Sequence, residues 1–278
     1  MLVSYAIGFA QQPQNSAVPA TQSQQLSAGE LQKLFNSMTP GQRNSLFTNV
    51  KHIMDPEVMV IQPGTKDSDP PSDAIILFDG SDISKEWEEV ARGASGVRGP
   101  KQATWIINDG GMQPTKSSGT VQTKRVFIDF QLHIEWKTPT GLTVTGQSRG
   151  NSGIIIQGLY EVQVLDSYNN RTYRNGQSGA IYMQYAPLVN VSRKPGEWQT
   201  YEIFYTAPRF KDSTTYFTPP RVTVVHNGVL VQNNVSIQGP TVYHGIPEYI
   251  IKQHGPGPIQ LQQHGNPTTF RNIWIREL

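Results

Sequence analysis

The sequence predicts an all-β domain of antiparallel strands, arranged as a sandwich or barrel, behind a short helical hairpin. Three observations predict it. Strand-length runs recur from Ala74 to the C-terminus. Gly, Asn and Pro make the breaks between them, and the 278 residues include 25 Gly and 20 Pro. No helical pattern separates one run from the next, which excludes a parallel sheet joined by crossovers.

The chain divides into four parts. Residues 1–26 open with MLVSYAIGFAQQ, apolar to Ala10, with small residues at Gly8 and Ala10 before Gln11. This resembles the end of a secretory signal without its basic start. The Gln, Ser, Ala and Pro that follow are expected to be a disordered spacer. Residues 27–61 hold the hairpin. Ser27 and Glu30 form a capping box ahead of Leu31, Leu34, Phe35 and Met38 at helical spacing. Thr39 and Pro40 restart a helix as N-cap and N1, with Leu46, Phe47 and Val50 as its apolar side. The apolar stripe points to packing or to docking of a second copy or an oxidoreductase partner. QPGTKDSDPPSD, residues 62–73, reads as a linker.

Residues 74–278 are the β domain. AIILFDG opens it. In VFIDFQLHIEW, Val126, Ile128, Phe130, Leu132, Ile134 and Trp136 are expected on one face, with Asp129, Gln131, His133 and Glu135 on the other. GIIIQGLYEVQVLDS, GAIYMQYAP, WQTYEIFYTAP, RVTVVHNGVLVQ, GPIQLQQHG and FRNIWIREL continue the series. The Asn-Gly at 227–228 marks a hairpin turn, because both residues tolerate positive φ.

Composition narrows the function. Charged residues make up 16% and the net charge is +2, with no Lys/Arg stripe, so nucleic acid is not an expected partner. Without cysteine there are no disulfides and no thiolate metal sites. No apolar run approaches the roughly 18 residues a membrane span needs.

Three strands pair an apolar face with one rich in amide, carboxylate or imidazole: His133 with Glu135, Glu161 with Gln163, and Gln260 with Gln262 and His264. Such a face suits a polyhydroxylated ligand; a plain solvated sheet surface is the alternative. YEVQVLDS carries the pattern E-x-Q-x-x-D, in which strict alternation puts Asp166 opposite Glu161. A β-bulge between them would bring both to one cleft. The carboxylates at 161 and 166 resemble the outer acids of the E-x-D-x-x-E strand of jelly-roll glucanases. There the retaining pair must stand about 5–5.5 Å apart, and Gln163 and the shorter Asp166 disfavour that mechanism.

LFDGSDISKEWE (77–88), NSGI (151–154), YEVQVLD (160–166), SGAIY (178–182), PGEWQTYEI (195–203), HNG (226–228), GPIQLQQHG (257–265) and FRNIWIREL (270–278) follow one another in an order that resembles the DUF1080 or 3-keto-disaccharide hydrolase family. The resemblance implies a concanavalin A-like jelly-roll sandwich of two antiparallel sheets, and export in a bacterium to the periplasm or beyond. It implies cleavage of glycosides already oxidised to a ketone at C3. Ile83 for the usual Leu and the insertion FKDSTTYFTPP are departures.

A C3 ketone acidifies the C2 proton, so a base can form an enolate and expel the C1 substituent. The candidate catalytic residues are Glu161 and Asp166 as carboxylates, His264 as acid/base, and Arg271 for the enolate oxygen, with a divalent cation as its alternative. Glu135, Asn151, Gln163, Tyr182, Gln260 and Gln262 are the candidate binders of sugar hydroxyls. Arg271-Asn272 could equally be a structural pair, and His264-Gly265 a turn. A non-catalytic carbohydrate-binding module on the same fold is the competing expectation.

Overall fold

A computed structural model describes residues 27–43, 59–93, 96–243 and 249–278. It divides into two compact units, 1–60 and 61–278.

In the first unit, α1 (Ala28–Ser37) starts at the expected capping box: Ser27 N–H donates to Glu30 Oε2 at 2.8 Å and Glu30 N–H to Ser27 Oγ at 3.4 Å. Thr39 opens a second helical turn by the same device, donating its N–H to Gln42 Oε1 at 2.9 Å. Arg43 closes the corner, with Nε donating to Phe35 O and the guanidinium over the Phe35 ring. Leu46, Phe47 and Val50, like residues 1–26, lie outside the described residues.

The second unit is a sandwich of two antiparallel sheets. The larger contains β1 (Ile75–Phe78), β4 (Ile106–Asn108), β5 (Gly111–Gln113), β7 (Phe130–Lys137), β10 (Gln199–Thr206), β13 (Arg221–His226), β14 (Val229–Ser236) and β16 (Thr269–Glu277). Its order is β14-β13-β10-β7-β16-β5-β4, with β1 also on β16. The smaller contains β2 (Trp87–Gly93), β3 (Gly96–Gln102), β6 (Val121–Thr123), β8 (Ser152–Ile156), β9 (Tyr160–Val164) and β15 (Gln260–Leu261), in the order β3-β2-β6-β15-β8-β9. β11 (Arg209–Phe210) and β12 (Tyr216–Thr218) form a separate hairpin from the inserted FKDSTTYFTPP segment.

Alternation builds the core. Leu132, Ile134 and Trp136 from β7 meet Tyr160, Val162 and Val164 from β9, with Ile154, Ile156, Val121 and Leu261 from the same sheet as β9. The alternation in VFIDFQLHIEW holds only from Phe130. Val126 and Ile128 are exposed, and Phe127 is buried and bridges Gly257, because the chain before Phe130 is not yet strand. The LFDG segment is tied in by the Trp87 indole, which donates to Leu77 O at 2.8 Å. Asp79 makes an Asx turn, accepting from Ser81 N–H at 2.9 Å.

Residues 62–73 are not a loose linker. Ser68 O accepts from Asn272 Nδ2 at 2.9 Å and Trp274 Nε1 at 3.1 Å, and Asp73 pairs with Arg276 at 2.8 Å. They form a strap over the outer face of the eight-stranded sheet. That face is reached because β16 bulges: Arg271 faces Glu135, yet Trp274 faces His133, and Asn272 takes φ +45° to absorb the extra residue.

Candidate active site

Paired residues in an antiparallel ladder share a face. The registers therefore place Gln102, Glu88, Gln122, Gln260, Ile155 and Glu161 in one row across the outer face of the six-stranded sheet. The segment 179–182 extends the row along the free edge of β9. Gly179 N–H donates to Gln163 O, Gln163 N–H to Ala180 O, and Tyr182 N–H to Glu161 O. The bridge between Val162 and Ile181 sets Tyr182 beside Glu161 on the same face. A second row holds Gln163, Gly153 and Gln262, since Gly153 pairs with Gln163 and its carbonyl accepts from Gln262 N–H at 2.9 Å.

Glu161 is the centre of this arrangement. It is 2% exposed, and burial pushes its carboxyl up to about 7 against the opposing hydrogen bond from Tyr243. A β-carbon on Gly153 would stand 2.5 Å from Glu161 Oε1, so the glycine is what admits the carboxyl. Glu161 Oε2, Gln163 Oε1 and Gln262 Oε1 are buried acceptors with no hydrogen-bond partner among the described residues. A surplus of acceptors favours the protonated acid, which brings a donor. Around the carboxyl stand hydroxyls: Tyr173 Oη lies 2.6 Å from Tyr182 Oη, and the Tyr182 and Tyr243 rings are 6.1 Å apart. Burial, the Tyr182 hydrogen bond and the nearby Glu161 all hold Tyr173 protonated.

Asn151 and Gln163 join the site through Gln147. Asn151 Nδ2 donates to Gln147 O at 2.8 Å, and Gln163 Nε2 to Gln147 Oε1 at 3.0 Å. Gln260 Nε2 donates to Gln122 Oε1 at 3.1 Å, and Gln122 Nε2 to Glu88 Oε1 at 2.8 Å.

Asp166 does not join Glu161. The β8–β9 register is unbroken from Ser152–Val164 to Ile156–Tyr160. A continued ladder would pair Asp166 with Gly150, but Asp166 N–H donates to Arg149 O at 3.2 Å. The extra residue sits on the other strand, where Gly150 adopts φ +63°. Asp166 therefore keeps the phase of Val162 and Val164. Arg149 Nε lies 2.9 Å from its Oδ2, and burial still pushes its carboxyl up against that charge.

Glu135 and Arg271 lie on the other sheet. Arg271 Nε donates to Glu135 Oε2 at 2.7 Å while its guanidinium stacks 3.9 Å from the Trp198 ring centre. Asn272 Nδ2 spends its two hydrogens on Ser68 O and Glu135 Oε1. His133 stacks on Trp274 and contacts Glu202 through Nδ1. Burial works against charge on His133, but Glu135 and Glu202 outweigh it and hold the imidazole up at about 9. Burial likewise opposes charge on Glu135, yet His133, Asn272 and Arg271 bring it down to about 2. This is a structural ion network beneath the strap. His264 is exposed in a turn completed by Gly265 at φ +78°. Among the described residues, no three His, Asp or Glu side chains gather as cation ligands.

Residues 73–276 match the model of the 3-keto-alpha-glucoside-1,2-lyase-like domain. The chain belongs to this family. A solved structure of a candidate glycosyl hydrolase from Parabacteroides distasonis ATCC 8503 is 52% identical, with TM-score 0.72, covering 80% of this chain and 93% of that one. A second candidate glycosyl hydrolase from the same organism, at 20% identity and TM-score 0.53, covers 79% and 100% and shares the fold. No curated protein matches significantly. The chain thus carries a jelly-roll domain of a carbohydrate-active hydrolase and lyase family.

Of the candidates named from the sequence, Glu161, Gln163, Asn151, Tyr182, Gln260 and Gln262 come together on this face or beside it. Tyr173, Tyr243, Gln147 and Gly153, not singled out from the sequence, stand among them. Of these, only Gly153 left a signal, a glycine inside an otherwise apolar strand, which marks a close approach. The tyrosines sit on irregular segments, and nothing local ties them to Glu161.

Proposed function

We propose that this protein cleaves the glycosidic bond of sugars oxidised to a ketone at C3. The observation that carries the proposal is Glu161, a carboxyl poised near pH 7 beside tyrosine hydroxyls on an amide-lined sheet face. Glu161 as carboxylate takes the C2 proton. The C–H electron pair forms the enolate, then the C1–C2 double bond as the C1–O bond breaks. The leaving oxygen takes a proton from the Tyr173–Tyr182 pair. Water adding at C1 turns elimination into net hydrolysis. Tyr243 and the amides of Gln163, Gln260 and Gln262 hold the sugar hydroxyls. The family description supports this chemistry, and it needs no closely spaced carboxylate pair.

Export to the periplasm or beyond is part of the same proposal, resting on the apolar opening of the chain. Cell fractionation with sequencing of the mature N-terminus tests it; uncleaved protein in the cytoplasm would refute it.

The catalytic test is paired turnover of an aryl glucoside and its 3-keto derivative by the full chain, with and without chelator. Aryl release from the keto form alone, abolished in Glu161→Gln, is expected. Sugar binding without turnover of either substrate would make the protein a binding module. Loss of turnover in chelator would give the enolate charge to a cation.

A further inference from the structure

The polar row continues well beyond Glu161. Glu88 lies four strands away, across β8, β15 and β6 to β2, about 19 Å at the usual strand spacing. The relay from Gln260 through Gln122 to Glu88 fixes the amides between them. At its far end a depression of about 440 Å³ is lined by Ser84, Trp87, Glu88, Lys101, Gln102 and Lys124. Lys124 follows directly on the end of β6 and lines the depression; its Nζ is anchored on Ser84 O at 2.6 Å. The volume is within the range of small-ligand sites. Gln102 is exposed and Glu88 half-buried, so the row opens to solvent as it leaves Glu161.

We propose that Glu88, Gln102 and Lys124 form an outer sugar subsite, and that the substrate is an oligosaccharide lying across the strands. The proposal rests on the glycoside chemistry at Glu161 and adds to it the length of the substrate. A disaccharide seated at Glu161 is too short to reach this depression. An oligosaccharide held there at its far end gains hydrogen bonds to one carboxylate, one amide and one ammonium. Their mixed charge suits a neutral polyhydroxylated chain.

The test is calorimetric titration of the full chain with maltose, maltotetraose, cellobiose and cellotetraose. One tetrasaccharide should bind at least tenfold tighter than its disaccharide. In the triple variant Glu88→Gln, Gln102→Ala, Lys124→Ala, that tetrasaccharide should fall to the affinity of the disaccharide. Equal affinities for long and short sugars, no binding of any, or an unchanged length preference in the variant would overturn the subsite. Turnover of a 3-keto aryl glucoside, measured alongside, separates the two proposals. Turnover without a length preference removes only the subsite; a length preference that needs Glu88 without turnover removes only the catalytic proposal.

Discussion

Gly153 and Glu161 share one volume: the side chain that Gly153 lacks would overlap Glu161 Oε1 at 2.5 Å. The carboxyl can lie flat on the sheet only because the neighbouring strand carries no β-carbon there. Gly153→Ala is therefore expected to push the carboxyl out of position. Turnover of a 3-keto glucoside should fall at least tenfold, and overpacking should cost about 1–3 kcal/mol by urea denaturation. Unchanged turnover would mean that the exact seat of Glu161 is immaterial.

Glu161 also shapes the pH dependence of stability. Its folded carboxyl is raised from 4.5 to about 7, so its contribution is fully present below pH 4.5 and is lost as pH rises through 7. Above that, the buried charge costs up to about 3 kcal/mol, at 1.36 kcal/mol per pKa unit. Glu161→Gln should melt higher than the wild type at pH 8.5 and show no such advantage at pH 4.5. Turnover by the wild type should rise with an apparent pKa about 7, the limb expected of a base that must be ionised.

His133 has the opposite character, a cation stabilised by carboxylates. Its folded value of about 9 against an ordinary 6.5 gives stability that is complete below pH 6.5 and lost through pH 9. The melting temperature lost in His133→Gln should be greatest near pH 6 and shrink towards pH 10. Because the residue lies on the far sheet, kcat/KM measured at a temperature where both proteins are folded should not change. A parallel loss of activity would place the network in the site.

Asp166 is buried and its partner Arg149 partly so, and removing Arg149 strands the buried carboxylate. Arg149→Ala should cost about 3–5 kcal/mol in denaturant unfolding. Adding Asp166→Asn should recover a substantial part, because the uncompensated charge is then gone. If the double variant is no better than the single, the loss comes from Arg149 packing and its bond to Tyr168 O.

The Tyr173–Tyr182 hydroxyl pair predicts a dependence on the leaving group. Tyr182→Phe should slow release of an alkyl aglycone by about 10²–10⁴-fold, the usual worth of a positioned acid, and affect nitrophenol release far less. Equal effects on both would make the tyrosines positioning residues.

Much of this was legible in the residues, for identifiable reasons. Period-two patterns named the strands, and Ser27 with Glu30 named a helix start, because both signals are local. Alternation alone put Glu161, Gln163, Gln260 and Gln262 on polar strand faces, and the ladders place them on one sheet face, since alternation fixes a face without knowing the fold. Alternation could not say which sheet a strand joins. His133, Glu135 and Arg271 have the same polar pattern as Glu161, yet they face the opposite side of the sandwich. Nor could it say which of two paired strands takes a bulge. That choice fell to Gly150, which enters the left-handed region at little cost, and Asp166 was left out of the cleft.

The strap has a consequence for where this domain ends. Homology draws the edge at residue 73, but Ser68 supplies the acceptor for the amide of Asn272 and the indole of Trp274. A protein trimmed to the homology edge would lose the acceptor of the Trp274 indole and of one Asn272 Nδ2 hydrogen, and would uncover Trp274, which is 3% exposed with the strap in place. Each lost hydrogen bond is worth about 0.5–1.5 kcal/mol, a noticeable share of an ordinary domain's 5–15 kcal/mol margin. The compact unit that holds the sandwich begins at Ile61, upstream of residue 73 where the family match starts.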